Sequence, residues 1–226
     1  MVFKLRPLHN DPDTHALKSL GKAVCARLDR DPAAYRLPAE GLAIYGVGGF
    51  LSASECARLI EIVDAVAVPS PTFHSNREDS GRTSYSGDVD PAAPFIRMLQ
   101  RRIDDLMGIN PTFGETMQGQ RYAPGQEFRA LFDHFDQKAA YWPSEQMRGG
   151  QRSWTAMAYL CDVAEGGSTD FPKLGLSVAP QAGALLVWDN MTTAGIPNPL
   201  SLHAGTPVIK GTKYVLTKWY RSRPWT

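Results

Sequence analysis

Apolar residues in the first half of the chain recur every three or four positions in three segments, which is the spacing of one face of an α-helix. The Asp31-Pro32 pair ends the first segment, a capping box at residues 52–55 begins the second, and Gly108 ends the third. The apolar stripes of these segments are Leu17, Leu20, Val24 and Leu28, then Cys56, Leu59, Ile60 and Val63, then Ile96, Leu99, Ile103 and Leu106. The pattern predicts three amphipathic helices.

The second half of the chain alternates between short apolar runs and turns rich in Gly and Pro. From about Thr116 the runs include TMQGQRYA, SWTAMAYL, ALLVW and KYVLTKWY, and an earlier run at residues 42–47, LAIYGV, predicts a short strand. Strands at such intervals are typical of a sandwich or barrel and not of a parallel sheet. We therefore predict one α+β, mainly β domain, in which helices pack on one face of a β-sandwich.

A long polar connection separates the second and third predicted helices. Residues 70–90, SPTFHSNREDSGRTSYSGDVD, are rich in Ser, Gly and Asp. A connection of this length is typical of a lid over a functional site or of a disordered segment.

The composition is that of an ordinary soluble globular protein. Hydrophobic residues make up 43% of the 226 residues, charged residues make up 21%, and the formal net charge is +1. So small a charge gives no reason to expect a nucleic acid or an anionic membrane as a partner. The three cysteines lie far apart and the N-terminus has no apolar signal segment, so we expect unpaired thiols and a cytoplasmic location.

A few histidines, carboxylates and one lysine indicate metal chemistry. Many oxygenases hold Fe(II) by two histidines and one carboxylate and leave positions open for cosubstrate and O2. His134 and Asp136 have the His-x-Asp spacing that places two side chains on one face of a strand, and His203 comes from a distant predicted strand. Lys213 lies in an apolar strand pattern. Its amine either points inward, toward an anion such as a dicarboxylate, or faces solvent at the start of the strand.

Several motifs in fixed order resemble the prolyl 4-hydroxylase family of Fe(II)/2-oxoglutarate oxygenases, in its bacterial branch. They are YAPGQEF, GGQRSWTAMAYL, EGGSTDFPKLGLSVAPQAGALLVW and SLHAGTPVIKGTKYVLTKW, and the resemblance runs from about Leu51 to the C-terminus. It implies a single domain over residues 1–226. In that domain a helical extension, residues 1–45, precedes a double-stranded β-helix (jelly-roll) core with supporting helices, residues 46–226.

The resemblance also implies roles for particular residues. By it, His203 is the distal iron ligand, and Lys213 pairs with the far carboxylate of 2-oxoglutarate. The positions that line the cosubstrate pocket in the family are Tyr122, Tyr159 and Thr169. The positions at the substrate groove are Arg82, Arg152 and Trp219. Outside this motif context, such aromatic residues and arginines are more often plain core or surface residues.

The sequence departs from the family pattern at the first iron ligands. The pattern there is G-Q-x-(F/Y)-x-x-H-x-D, and an ungapped alignment from Gly125 places Leu131 at the histidine and Asp133 at the aspartate. His134 lies three residues beyond Leu131, and a shift of three residues reverses the face of a strand.

Three outcomes remain open for this segment. In the first, Asp133 and His203 hold the iron, with His134, the histidine at position 74 or water as a third ligand. In the second, a bulge turns His134 and Asp136 toward the metal. In the third, the metal site is lost, because the leucine at position 131 cannot ligate.

The resemblance implies hydroxylation of a prolyl or related residue in a peptide or protein. It implies Fe(II), 2-oxoglutarate and O2 as cofactors, and it is compatible with ascorbate as a further one. One alternative is a catalytically silent or atypical-metal member that acts as a peptide-binding module. Another is an oxygenase of a free amino acid or other small molecule, since a family alone does not settle the substrate.

Overall fold

The computed structural model describes residues 13–70 and 83–226, and the three predicted helices are present. The helices are α1 (Thr14–Leu28), α2 (Ala53–Val66), α3 (Pro94–Met107) and a short α4 (Trp142–Met147). The predicted capping box begins α2: the Ser52 hydroxyl accepts from the Glu55 backbone N–H at 3.2 Å, and the Glu55 carboxylate accepts from the Ser52 backbone N–H at 2.9 Å. Gly108 ends α3 in the left-handed conformation, with φ 66°.

Short strands make up much of the rest of the described chain. They are β1 (Ala34–Arg36), β2 (Ile44–Val47), β3 (Val68–Pro69), β4 (Tyr85–Asp88), β5 (Gln118–Tyr122), β6 (Phe128–Leu131), β7 (Arg152–Tyr159), β8 (Glu165–Gly166), β9 (Thr169–Phe171), β10 (Leu176–Val178), β11 (Leu185–Asp189), β12 (His203–Gly205), β13 (Val208–Lys210) and β14 (Lys213–Arg221). An eight-stranded sheet has the order β1-β2-β11-β7-β14-β5-β4-β3, a four-stranded sheet has the order β10-β9-β12-β6, and β13 pairs with β8. The pairings between these strands are antiparallel.

The eight-stranded sheet lies between the helices and the four-stranded sheet. Its helix-facing side packs through a buried cluster that includes Val24 of α1, Leu59 of α2 and Leu99 of α3. Its other side packs on the four-stranded sheet, where the rings of Phe171 and Trp188 meet edge to face at 5.7 Å. Helices on one face of a β-sandwich are therefore confirmed, and so is the α+β, mainly β class.

β14 shows how this layering positions side chains. Successive residues of a strand point to opposite faces of the sheet. Leu216 and Tyr220 belong to the cluster that faces the helices, whereas Lys213 and Thr217 line a pocket between the two sheets. Of the two orientations open for Lys213, the inward one is present, and its side chain is buried.

Part of the polar segment at residues 70–90 belongs to the large sheet. Tyr85–Asp88 forms β4, which pairs in register with β5 from Tyr85 opposite Arg121 to Asp88 opposite Gln118. The irregular connection is therefore shorter at its C-terminal end than we expected, because backbone pairing with β5 overrides the polar composition. Residues 71–82 of the predicted lid lie outside the described residues.

The first strands of the chain also join the large sheet. β1 pairs with β2, and β2 pairs with β11, so residues 34–47 extend one edge of the sheet. The expectation of a single domain with a boundary at residue 45 stays a prediction. Within the described ranges, no helix combines the length and the apolar character that crossing a bilayer requires.

Candidate functional site

A pocket between the two sheets contains the chemically active side chains. Its walls come from β5, β7, β11 and β14 of the large sheet and from β6, β9 and β12 of the small sheet. Asp133, His203 and Lys213 all line it, among mainly apolar neighbours. The sheet packing thus brings together residues that are distant in sequence.

Asp133 and His203 form the polar pair of this pocket. Both side chains are buried, and Oδ2 of Asp133 lies 3.7 Å from Nε2 of His203. This distance exceeds that of a hydrogen bond. Two ligand atoms each about 2.1 Å from one divalent cation lie roughly 3–3.5 Å from each other. A small rearrangement therefore brings both groups within reach of a single ion.

The ring of His203 is oriented by its backbone surroundings. Its Nδ1 lies 3.0 Å from the carbonyl oxygen of Ser201. Because a carbonyl only accepts, Nδ1 carries a proton and donates it, and in the neutral ring Nε2 presents its lone pair toward Asp133. The Trp188 ring packs against the imidazole with its centroid at 4.9 Å. Metal-binding histidines are commonly oriented by such a hydrogen bond to the second ring nitrogen.

Asp133 is oriented by a short hydrogen-bonded chain. The Thr155 hydroxyl donates to Oδ2 of Asp133 at 2.7 Å, and the side-chain amide of Asn190 donates to the Thr155 hydroxyl at 2.9 Å. Thr155 and Asn190 are fully buried, so this chain is shielded from water. The Asp133 carboxylate is therefore held in one orientation.

Leu131 lies directly beside this pair. β12 pairs with β6 so that His203 stands opposite Leu131, and β6 ends at Leu131, two residues before Asp133. Side chains at directly opposed antiparallel positions lie on the same face, with Cβ atoms about 4.5–5.5 Å apart. Leu131 thus lies on the same face as His203, and its assignment to the histidine position of the family pattern stays a prediction.

His134 and Asp136 are not among the residues that line the pocket. Asp136 is exposed, and its carboxylate accepts from the backbone N–H of Lys138 at 2.9 Å. The ring of His134 stacks on Phe132 at 4.5 Å, and both of its nitrogens are buried without a hydrogen-bond partner. Burial lowers the pKa of His134, which favours the neutral ring. His134 lies close enough to Asp133 and His203 to interact with them electrostatically, but neither member of this pair lines the pocket, and the role of the pair as ligands stays a prediction.

Lys213 lies buried in the same pocket. Its Nζ is 3.4 Å from the Thr169 hydroxyl oxygen and lies 5.6 Å and 5.7 Å from the ring centroids of Tyr122 and Tyr159. Burial lowers the pKa of Lys213 to about 8. Within the part of the chain that the structure describes, no carboxylate pairs with this amine. A buried ammonium without a counter-ion is costly, so the site favours an anionic ligand.

The residues expected around the cosubstrate are brought together at Lys213. The hydroxyl of Tyr159 donates to Thr169 at 2.8 Å, and the hydroxyl of Tyr122 donates to Gln120 at 2.8 Å. Thr169 Oγ1 therefore receives hydrogen bonds from Tyr159 and Lys213, and its own proton stays available for an acceptor. Burial raises the pKa of Tyr159, so its hydroxyl stays protonated.

The expected substrate residues have different positions. Trp219 lines the pocket, whereas Arg152 lies behind it, with the guanidinium 4.3 Å from the Trp219 ring centroid. Arg152 donates two hydrogen bonds of 2.7 Å to Glu115. Arg82 lies outside the described residues. Of the predicted substrate residues that the structure describes, only Trp219 therefore faces the pocket.

Sequence patterns did not identify the residues that orient Asp133. Thr155 lies inside the motif GGQRSWTAMAYL. The motif indicates that this segment belongs to the site, but it does not indicate the role of Thr155. Asn190 lies in none of the motifs, and its contact with Thr155 spans 35 positions of the sequence. Such partners become visible only when β7 and β11 are paired.

The donor set fits a divalent metal held through one carboxylate and one imidazole. Asp133 and His203 are buried, mutually close and oriented by further hydrogen bonds, as metal ligands commonly are. Across residues 13–70 and 83–226, no three His, Cys, Asp or Glu side chains lie together as a metal site. Among the described residues a third protein ligand is therefore absent, and Leu131 stands opposite His203.

Known proteins match the part of the chain that contains this site. Residues 117–221, which include Asp133, His203 and Lys213, match the family model of the 2OG-Fe(II) oxygenase superfamily. Probable prolyl 4-hydroxylase 4 of Arabidopsis thaliana is 31% identical over 200 residues, which are 76% of this chain and 64% of the plant protein. The chain thus spans slightly less than two thirds of the length of this relative.

Solved structures resemble the chain as well. A viral collagen prolyl hydroxylase from Paramecium Bursaria Chlorella virus-1, solved as a 2OG complex, has TM-score 0.63 and 26% identity, covering 79% of this chain and 95% of its own. A prolyl hydroxylase from Trichoplax adhaerens, in complex with a hypoxia inducible factor oxygen degradation domain peptide fragment, has TM-score 0.60 and 15% identity, covering 95% and 94%. The second likeness concerns the fold alone. The expected double-stranded β-helix core is confirmed.

Proposed function

Since the chain belongs to the prolyl 4-hydroxylase-like group of the 2OG-Fe(II) oxygenase superfamily, we propose that it is a 2-oxoglutarate-dependent dioxygenase. Its proposed reaction is hydroxylation of a prolyl or related residue in a peptide or protein, with O2 as oxidant. One observation carries the proposal: the Asp133–His203 pair, 3.7 Å apart, shares a pocket with the buried amine of Lys213.

We assign Lys213 to one carboxylate of 2-oxoglutarate. Its amine has no carboxylate partner among the described residues and lies 3.4 Å from the Thr169 hydroxyl, which can donate to the same anion. The Tyr122 and Tyr159 rings flank the amine and exclude water from it. A charge-assisted bond in such surroundings is stronger than one in water.

We assign Asp133 and His203 to Fe(II). Thr155 holds Oδ2 of Asp133, and the Ser201 carbonyl holds the His203 ring so that its Nε2 is free to ligate. When bound, the iron and the 2-oxo acid supply the oxidising chemistry toward a C–H bond. The chain supplies binding, orientation and a pocket that excludes water.

We assign Trp219 to the substrate side of the pocket, with Arg152 behind it and Arg82 as a further contact. The Arg152 guanidinium stacks on Trp219 and fixes the ring. A peptide substrate is supported by the viral relative, which is named a collagen prolyl hydroxylase. A rigid indole on the pocket wall also suits an apolar residue such as proline.

The test is an assay of the purified chain with Fe(II), 2-oxoglutarate, O2, ascorbate and a set of proline-rich peptides. We expect succinate release together with a gain of one oxygen atom on a peptide, both measured by mass spectrometry. His203→Ala should lower this turnover at least a thousandfold, because it removes one of two proposed ligands. The matched control is His15→Ala, at an exposed position on α1, which should leave turnover unchanged.

Other outcomes separate the alternatives. Hydroxylation of free amino acids without hydroxylation of peptides would reassign the substrate to a small molecule. A folded chain that binds metal and peptide but never consumes 2-oxoglutarate would favour a silent peptide-binding module. Leu131 beside His203 is the observation that favours this second candidate, because the usual third ligand is replaced by a residue that cannot ligate.

A further inference from the structure

The pocket supplies fewer metal ligands than the family pattern requires. Asp133 and His203 face each other, but the position opposite His203 on β6 is Leu131. His134 has unpartnered ring nitrogens, yet it stacks on Phe132 outside the pocket lining. In the described part of the chain, two side chains are therefore available for the metal where three are expected.

The same pocket holds an anchor for an anion. The Lys213 amine is buried next to Thr169, and no described carboxylate forms an ion pair with it. A 2-oxo acid has a carboxylate and an adjacent keto oxygen that together chelate divalent cations, and 2-oxoglutarate has a second carboxylate for the lysine. The cosubstrate can therefore supply the metal bonds that the chain lacks.

We propose that metal and 2-oxoglutarate bind this site as a mutually dependent pair, because with Leu131 opposite His203 the described part of the chain offers the metal two protein ligands. The inference rests on the proposed function and adds a loading rule to it: the metal and 2-oxoglutarate each bind tightly only when the other is bound. The metal alone binds weakly, and the Lys213-anchored 2-oxo acid raises its affinity. Thermodynamic linkage requires the metal to raise the affinity for 2-oxoglutarate by the same factor.

The experiment uses Mn(II) as the metal probe and follows the signal of the free ion by electron paramagnetic resonance. We expect the affinity of the chain for Mn(II) to rise at least tenfold with saturating 2-oxoglutarate. Glutarate is the matched control ligand, since it has both carboxylates and lacks the keto oxygen, and it should change the affinity for Mn(II) little. Titration of 2-oxoglutarate with and without Mn(II) should give the same factor.

Two matched variants on β6 test the role of Leu131. Leu131→His should bind Mn(II) alone at least tenfold more tightly than the parent and should show a smaller effect of 2-oxoglutarate. Ala130→His adds a histidine at the neighbouring exposed position, whose side chain points to the other face of the strand, and should behave like the parent. Lys213→Met should bind Mn(II) alone like the parent but lose the gain from 2-oxoglutarate. Circular dichroism melts establish that each variant is folded.

Several results would overturn the inference. Tight Mn(II) binding to the parent that 2-oxoglutarate does not change would end the loading rule while leaving the dioxygenase proposal intact. Loss of Mn(II) binding in a folded His134→Phe variant, which keeps the stack on Phe132, would make His134 the third ligand. Absence of Mn(II) binding to the folded parent with and without 2-oxoglutarate would remove both the loading rule and the proposed function.

Discussion

Asp133 and His203 are held by different contacts, but substitution of either side chain should weaken metal binding to the same extent. Asp133→Ala or His203→Ala leaves one proposed protein ligand, so we expect each to weaken Mn(II) binding at least a hundredfold in the presence of 2-oxoglutarate. Asp136→Ala is the control, because that carboxylate is exposed and bonded to the Lys138 backbone. Titration of each variant with Mn(II) in the presence of 2-oxoglutarate measures these losses of affinity. A loss in Asp136→Ala comparable to that in Asp133→Ala would support the bulged arrangement of the segment instead.

Lys213 gives the site a pH dependence of predictable sign. Burial lowers the pKa of Lys213 in the folded chain to about 8, from an ordinary value of about 10.4, with Asp170 nearby opposing the shift. Only the protonated amine pairs with an anion. The affinity for 2-oxoglutarate should therefore be nearly constant below pH 8 and fall by up to about tenfold per pH unit above it, until the pKa of the complex is reached.

The control for this pH profile is Lys213→Arg, because a guanidinium stays charged throughout the range. Its profile should be flat between pH 7 and pH 9.5 even where its affinity is lower. Calorimetric titration of both proteins with Mn(II) present gives the comparison. Parallel profiles for the two proteins would assign the pH dependence to another group.

At the scale of elements, an ion-pair network joins β7 to β14 behind the pocket. Glu115 pairs with Arg152 of β7 and with Arg221 of β14, and Arg221 also pairs with Glu145 of α4. Burial alone raises the pKa of Glu115, but Arg152 and Arg221 outweigh it and hold the pKa below its usual value. The network therefore stabilises the fold above the unfolded pKa of a glutamate, and this stabilisation is lost as the pH falls.

Glu115→Ala should destabilise the chain strongly, because it leaves the buried guanidinium of Arg221 and the partly buried guanidinium of Arg152 without a shared partner. Removal of one partner from a buried pair typically costs about 3–5 kcal/mol of the free energy of unfolding. Glu127→Ala, which breaks the more exposed pair with Arg129, should cost no more than about 1 kcal/mol. Denaturant unfolding at pH 7 measures both. Equal effects of the two substitutions would mean that the network adds no more than a surface pair.

At the scale of the whole molecule, ligand binding to the pocket should stabilise both sheets together. A ligand at about 100 times its Kd stabilises the native state by about 2.7 kcal/mol. For a chain of this length that raises Tm by roughly 5–10 °C. We expect this increase with Mn(II) and 2-oxoglutarate together and a much smaller one with either alone. His203→Ala should abolish the joint shift in a thermal melt, and additive single shifts in the parent would contradict mutual dependence.

The sequence by itself determined the three long helices and the series of short strands that follows them, but it left the register of the segment around Leu131 open. Helical spacing and capping signals located α1, α2 and α3, because these are local properties of the backbone and of one helix face. Motif order led to the family, the jelly-roll core and the positions of His203 and Lys213. The ungapped alignment placed Leu131 at the histidine position of the pattern, and the strand pairing puts Leu131 opposite His203.

Tertiary structure decided what depends on contacts between distant residues. The orientation of Lys213 was open until β14 was buried between two layers, and the Asn190–Thr155–Asp133 chain exists only because β7 and β11 pair. The buried contact of Lys218 with Asp104, 114 residues away, had no local signal. Spacing along a strand specifies which residues share a face, but the packing of sheets and helices decides which face is buried and which partners meet there.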